Sequence, residues 1–187
     1  MKKWLAVCMS AMMVLMLAAC GQSGEVDVQP TQTPAPGTVE EDKAQLLNDY
    51  VTALNNLDFT AARALASQDS ELDQLSSLEI TQRAQMMTIL QHTQIEATTQ
   101  EQSEDGSIVL HCKLRSPEKQ EVNQAVAVIF IKAEVTDEQQ LLDLLKQEAA
   151  GETFTQTERD IQISLVTVEE QLRIQTDQAF IDAILHY

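Results

Sequence analysis

The chain has 187 residues, with 12 Lys and Arg against 29 Asp and Glu, and a formal net charge of −17. At roughly 100–200 residues per domain, this length allows one domain with appendages. The charge excludes binding to nucleic-acid phosphates through clustered cations. Only one stretch is continuously apolar, which excludes a protein that crosses a membrane several times.

The first residues have the layout of a secretory signal peptide. Lys2 and Lys3 precede an apolar run over residues 5–19, which is shorter than the about 20 apolar residues of a membrane span. The run ends in Leu-Ala-Ala directly before Cys20, and this ending resembles the cleavage box of bacterial lipoproteins. The resemblance implies cleavage after residues 1–19, a diacylglycerol thioether on Cys20 and attachment to a membrane outside the cytoplasm. The alternative is an ordinary secretory peptide followed by a chance cysteine.

Residues 20–38 are expected to form a lipidated, flexible tether. The segment is rich in Gly, Ser, Thr, Gln and Pro and has no hydrophobic periodicity, as is typical of linkers. Loss of Lys2 and Lys3 with the signal would change the net charge from −17 to −19. The acidic residues that give this charge form either a solvated face or a binding surface for a cationic partner.

Cysteine usage leaves one thiol for the folded part. Cys8 would leave with the signal and Cys20 would carry lipid, so no intramolecular disulfide can form. Cys112 alternates with apolar residues in a predicted strand. We therefore expect Cys112 to be a small buried side chain.

Residues 39–187 are predicted to form a single domain that opens with three helices. Apolar residues at steps of three and four predict a helix over 40–57. Asp58 is a candidate N-cap for a helix over 59–67. The pair Ser76 and Glu79 has the spacing of a capping box before a third helix.

The remaining elements mix strands with two helices. Hydrophobic alternation predicts strands, Gly106 marks a hairpin turn, and a run that is apolar on both faces indicates a central strand. In chain order we predict strands over 95–99 and 108–114, a central strand over 125–133, a helix from Thr136 to Gly151, strands over 161–165 and 172–174 around a turn at Glu169-Glu170, and a helix over 180–185.

Helices that precede a run of consecutive antiparallel strands predict an α+β fold, with the helices on one face of a curved sheet. Residues 50–62 resemble the opening of nuclear transport factor 2-like (cystatin-like) domains, and residues 163–174 resemble their final hairpin. The resemblance implies a cone-shaped roll around a cavity. Members of this family include isomerases, dehydratases, ligand binders, dimerisation modules and domains of small bacterial lipoproteins.

Motifs for nucleophilic catalysis, phosphate loops and metal binding are absent from the sequence. The three histidines, His92, His111 and His186, have no metal-ligand spacing. We therefore predict no catalytic residue, no metal and no cofactor. Tyr50 and His111 are the candidate ligand-binding residues, because in the family that this chain resembles such groups line the cone. The alternative places Tyr50 in the core and His111 on the sheet surface.

These observations predict a lipoprotein of the cell envelope that binds something without transforming it. Its partners would be the membrane, through Cys20, and an unidentified small ligand or envelope protein. A homodimer through an apolar sheet face is a further prediction, and nucleic acid is not expected. The alternatives are an isomerase or dehydratase that uses Tyr50 or His111, and a passive structural or assembly lipoprotein.

Overall fold

A computed structural model describes residues 37–67, 75, 77–132, 138–176 and 178–185. These residues belong to the second of two units into which the chain divides, residues 33–187. The predicted signal peptide over 1–19, the predicted lipidation site Cys20 and most of the predicted tether over 20–38 lie outside the described residues. Gly37 already forms a backbone bridge with Gln100, so contact with the domain begins before Val39.

The described residues form six helices and one open sheet of four antiparallel strands in the order β1-β2-β3-β4. This arrangement confirms the predicted α+β class. The helices are α1 (Glu41–Asn55), α2 (Phe59–Leu65), α3 (Ile80–Gln91), α4 (Lys119–Lys132), α5 (Glu138–Ala150) and α6 (Gln178–Leu185), and the strands are β1 (Gln94–Gln102), β2 (Ile108–Pro117), β3 (Gln156–Val168) and β4 (Gln171–Ile174). None of the described helices is long and apolar enough to cross a membrane.

The junction between α1 and α2 follows from local hydrogen bonding. The backbone N–H of Leu57 donates to Leu54 and that of Asp58 donates to Ala53, which is the Schellman pattern at a helix end. Leu57 takes the left-handed conformation, with a φ of 53°, and its side chain is buried. The carboxylate of Asp58 then accepts from the Ala61 N–H at 3.0 Å, which confirms its predicted capping role.

The start of α3 differs from the predicted capping box. Glu79 is the N-cap residue and its side chain makes no capping hydrogen bond, while Ser76 lies outside the described residues. The guanidinium of Arg83 instead donates to the carbonyls of Leu75 and Leu78. This side chain ties the incoming segment to the first turn of α3.

Residues 125–133 do not form the predicted central strand. They lie in α4 as far as Lys132, and Ala133 lies outside the described residues. The helical spacing of Val122, Val126 and Ile129 buries these three side chains against the core. The β-branched and aromatic residues of this segment favour a strand by local propensity. The segment is nevertheless a helix, because its buried face packs against α3 and α5.

The sheet is built from two hairpins whose turns were both predicted. Between β1 and β2, Gly106 has a φ of 86°, and the Asp105 carboxylate accepts from the backbone N–H and hydroxyl of Ser107. Between β3 and β4, Glu169 and Glu170 have φ values of 50° and 65°. Two central residues with positive φ are the signature of a type I′ turn.

The core lies between one face of the sheet and the helices. Alternate residues of β2 point to opposite faces, and Leu110, Cys112 and Leu114 are buried on the helix side. Helix α3 packs against β2 and against α1, α4, α5 and α6, and its residues Met86–Leu90 are all buried. The amide of Asn55 donates to the carbonyls of Leu90 and Thr93, which ties α1 to the end of α3.

Candidate functional site

Tyr50 belongs to the core. Its side chain is fully buried and packs edge-on against Phe180 of α6, with ring centroids 5.8 Å apart. Its hydroxyl has no hydrogen-bond partner among the described residues, and burial raises the pKa of Tyr50 well above its ordinary value. Tyr50 lines neither of the two clefts described below.

His111 lies on the opposite face of the sheet. It neighbours the buried Cys112 in β2 and points away from the helices, as the alternation of strand residues requires. Its Nε2 lies 3.4 Å from Oε1 of Glu101 on β1. The two predicted ligand-binding residues, Tyr50 and His111, therefore lie on opposite sides of the sheet, and they share neither of the two described clefts.

A polar cleft of about 480 Å³ surrounds His111. Its other polar side chains are Thr98 and Thr99 of β1 and Asp160 and Gln162 of β3. The register of β1 on β2 shifts between Ala97 and Thr99, and such a bulge re-aims side chains at a strand edge. The cleft can hold a small polar molecule by hydrogen bonds from hydroxyl, amide and imidazole groups.

Ion pairs cover the same sheet face beyond His111. Lys113 Nζ lies 2.8 Å from Asp160 and 3.4 Å from Glu158, and Arg115 Nε lies 2.9 Å from Glu158. The hydrogen bond from Arg115, followed by that from Lys113, holds the pKa of Glu158 below its ordinary value. The Asp160 carboxylate raises the pKa of Lys113. This part of the sheet therefore presents charged groups, and the predicted homodimer stays a prediction.

Cys112 fits its predicted structural role. The thiol is buried and free, and burial raises the pKa of Cys112 to about 12, so the reactive thiolate is scarce at neutral pH. Within the described part of the chain, no group of three His, Cys, Asp or Glu residues could hold a metal ion. His92 packs edge-on against Phe154, with ring centroids 4.8 Å apart, while His186 lies outside the described residues.

A second cleft, which the sequence did not reveal, runs along α4. This α4 groove has a volume of about 650 Å³. Both apolar and acidic side chains line it. The lining includes Ala125, Val128 and Ile129 of α4, Phe154, the carboxylates of Glu121, Glu148 and Glu152, and Lys132. The uniformly apolar run over residues 125–131 was the signal for this groove in the sequence, but its assignment to a strand concealed the groove.

Two residues in the lining of the α4 groove, Glu121 and Thr155, are hydrogen-bonded to each other. The Glu121 carboxylate accepts from the Thr155 backbone N–H at 2.7 Å and from the Thr155 hydroxyl at 2.8 Å. These two donors lower the pKa of Glu121, the backbone donor having the larger effect. They hold the segment that follows α5 against α4 and place Phe154 beneath the groove.

The second half of α4 exposes two large apolar side chains to solvent. Ile131 is 84% exposed and Val128 is 45% exposed. Val168 in β3 is the third exposed large hydrophobic residue among the described residues. Clustered apolar side chains in water are unfavourable, and such patches mark surfaces that contact another molecule.

The two clefts differ in chemistry. The His111 cleft offers polar contacts to a small molecule, whereas the α4 groove offers an apolar floor with an acidic rim. Comparison of the chain with protein-family models, curated proteins and solved structures found no match. A functional assignment therefore starts from the residues of these two clefts and from the amino-terminal sequence.

Proposed function

We propose that the chain is a lipoprotein of the bacterial cell envelope, anchored to a membrane through lipidated Cys20, whose α+β domain binds a protein partner without transforming it. The amino-terminal support is in the sequence: two lysines, a short apolar run and a Leu-Ala-Ala-Cys ending. Two acyl chains on one cysteine would give stable attachment without a spanning helix.

The observation that carries the binding half of the proposal is the open α4 groove, with Val128 and Ile131 exposed beside it. The separation of Tyr50 from His111 favours binding over catalysis. An acid–base pair must reach one substrate from within hydrogen-bond distance, and these two side chains lie on opposite sides of the sheet.

We also propose that the domain is of the nuclear transport factor 2-like type. Support comes from the leading pair α1 and α2, the closing hairpin β3–β4 and the placement of the helices on one sheet face. In this reading α4 and α5 are an insertion between the second and third strands, and the α4 groove belongs to this chain's insertion.

The anchoring half is tested by replacing Cys20. The wild-type chain should incorporate labelled palmitate and partition into the detergent phase, whereas Cys20→Ala should remain an unprocessed, unlabelled precursor. Cys8→Ala is the matched control, because it changes a cysteine inside the signal and should leave processing intact. Normal processing and membrane retention of Cys20→Ala would refute lipid anchorage.

The binding half is tested by site-specific crosslinking in intact cells. A photoreactive residue in place of Val128 should give one dominant protein adduct, and the same residue in place of Val168 is the control. Equal adducts at both positions, or none at Val128, would count against a protein partner on this side of the domain.

A further inference from the structure

We infer that the α4 groove binds a cationic amphipathic helix, supplied by another protein, whose apolar face covers Val128 and Ile131 and whose Lys or Arg side chains meet Glu148 and Glu152. This inference rests on the proposed partner-binding function and names the chemistry of the partner. The occupant is a peptide segment, because the groove follows one helix along its length.

The apolar contacts are already arranged for a helix. Val128 and Ile131 are three residues apart and therefore lie on the same side of α4. The 14 residues of α4 span about 21 Å at a rise of 1.5 Å per residue. A partner helix of about four turns matches this length, and it would present its own apolar residues at three- and four-residue steps.

The charges around the groove select a cationic partner. Glu148 and Glu152 are exposed at the groove and Glu121 lies towards the start of α4. Among the described lining residues, Lys132 is the single cation. The whole chain also carries a net charge of −17. Complementary charges accelerate encounter and exclude like-charged partners.

The same charges disfavour two other occupants. A second copy of the chain would bring its own acidic rim against this one, which places like charges together. An anionic membrane surface would repel the rim within about one Debye length, roughly 8 Å at physiological salt. A cationic peptide avoids both penalties.

The test measures the binding of a defined probe to the full chain. The probe is a fluorescent helical peptide of Leu and Lys of about 14 residues, with Leu on one face, and a Leu–Glu peptide of the same pattern is the negative probe. Fluorescence anisotropy with the full chain in nonionic detergent, against detergent alone, should show binding of the Leu–Lys peptide only. Added salt should weaken that binding.

Two double variants in the groove measure the acidic and the apolar contributions to peptide binding separately. Glu148→Gln with Glu152→Gln should weaken binding about fivefold or more and reduce the salt dependence. Val128→Ser with Ile131→Ser should weaken it about tenfold or more at unchanged salt dependence. Both pairs are at exposed positions, and circular dichroism verifies that each variant is folded.

Matched controls lie on the sheet side of the domain. Glu96→Gln with Glu104→Gln removes the same charge away from the groove, and Val168→Ser removes an exposed apolar side chain. Both controls should bind the Leu–Lys peptide as the wild-type chain does. Equal weakening by the control and groove variants would show non-specific attraction to an acidic protein and would overturn the inference.

Two further outcomes would also overturn the inference. One is unchanged affinity in both groove variants. The other is binding to vesicles of phosphatidylglycerol and phosphatidylcholine that requires Val128 and Ile131, in the absence of peptide binding. Neither outcome affects lipid anchorage, which is read separately from palmitate labelling of Cys20→Ala. The partner-binding half is read separately from the crosslinking at Val128 in intact cells. A dominant adduct there without binding of the Leu–Lys peptide would overturn only the inferred chemistry of the partner, whereas absence of the adduct would count against the proposed function itself.

Discussion

Tyr50 of α1 meets Phe180 of α6 edge to face, with ring centroids 5.8 Å apart and planes at 64°. This contact joins the first described helix to the last, and aromatic pairs in this geometry add to the stability of the core. The Tyr50 hydroxyl contributes no hydrogen bond there. The ring, rather than the hydroxyl, is the reason for an aromatic residue at this position.

Tyr50→Phe should therefore leave the free energy of unfolding within about 1 kcal/mol of the wild-type value, or raise it, because a buried hydroxyl without a partner is unfavourable. Tyr50→Ala should lower it by about 3–5 kcal/mol through the cavity that it creates. Urea unfolding measures both. A loss well above 1 kcal/mol in Tyr50→Phe would contradict the assignment of Tyr50 to the apolar core.

The turn between β3 and β4 should accept a stabilising replacement. Glu169 and Glu170 both have positive φ, which is costly for residues with a Cβ, whereas Asn-Gly is the preferred pair in a type I′ turn. Glu169→Asn with Glu170→Gly should raise the free energy of unfolding by about 1–2 kcal/mol. Glu169→Gln with Glu170→Gln is the control, since it removes both charges but leaves residues with a Cβ at the two positive-φ positions. Equal stability of the two variants would refute the backbone explanation.

The Glu121 contact predicts a dependence of stability on pH. Its donors from Thr155 lower its pKa below the ordinary value of 4.5. A carboxyl group with a lower pKa in the folded state stabilises the fold above its unfolded pKa, and this stabilisation is lost as the pH falls through the folded pKa. Glu121→Gln should therefore lower the urea midpoint at neutral pH, with a difference from wild type that shrinks below about pH 4.5.

Glu118→Gln is the matched control for this measurement. Glu118 lies just before α4, so the control removes a charge near the same helix terminus without affecting the side-chain bonds to Thr155. Its effect on the urea midpoint should be smaller than that of Glu121→Gln. A constant difference between Glu121→Gln and wild type across the pH range would show that the carboxylate charge is not what Thr155 stabilises.

The buried Cys112 should resist thiol reagents while the domain is folded. Burial removes access and raises its pKa to about 12, so alkylation at pH 8 should require opening of the fold. Mass spectrometry of peptides after iodoacetamide treatment measures the labelling in native and urea-unfolded chains. The control is Val109→Cys in a Cys112→Ala background. Val109 is half-buried on the opposite face of β2, and a thiol there should label faster than Cys112. Fast native labelling of Cys112 would contradict its burial.

The four strands were predictable from the sequence to within five residues at their ends, because β2 and β3 each have one buried face and alternate along it. Leu110, Cys112 and Leu114 show this pattern, and the placement of His111 on the other face follows from it. The Asp58 cap was also predictable, because it depends on neighbours in the sequence.

Helix α4 was not predictable in the same way. Its run Val-Ala-Val-Ile-Phe-Ile satisfies strand propensity, and its helical form depends on α3 and α5, which pack against it in three dimensions. The α4 groove was unpredictable for the same reason, because it depends on contacts between residues far apart in the sequence. It requires Phe154 and Thr155 to reach Glu121, which is 34 positions earlier in the chain than Thr155.

Helix α3 is surrounded by other elements, and this has a kinetic consequence. Residues Met86–Leu90 are buried on every side of the helix, so we expect that local opening does not expose their amide protons to water. Their hydrogen exchange should proceed only when the whole domain unfolds, whereas the solvent-facing turns of α4 exchange through small local fluctuations. The slowest-exchanging amides of the domain are thus expected at its centre, in a helix that has no solvent-facing side between Met86 and Leu90.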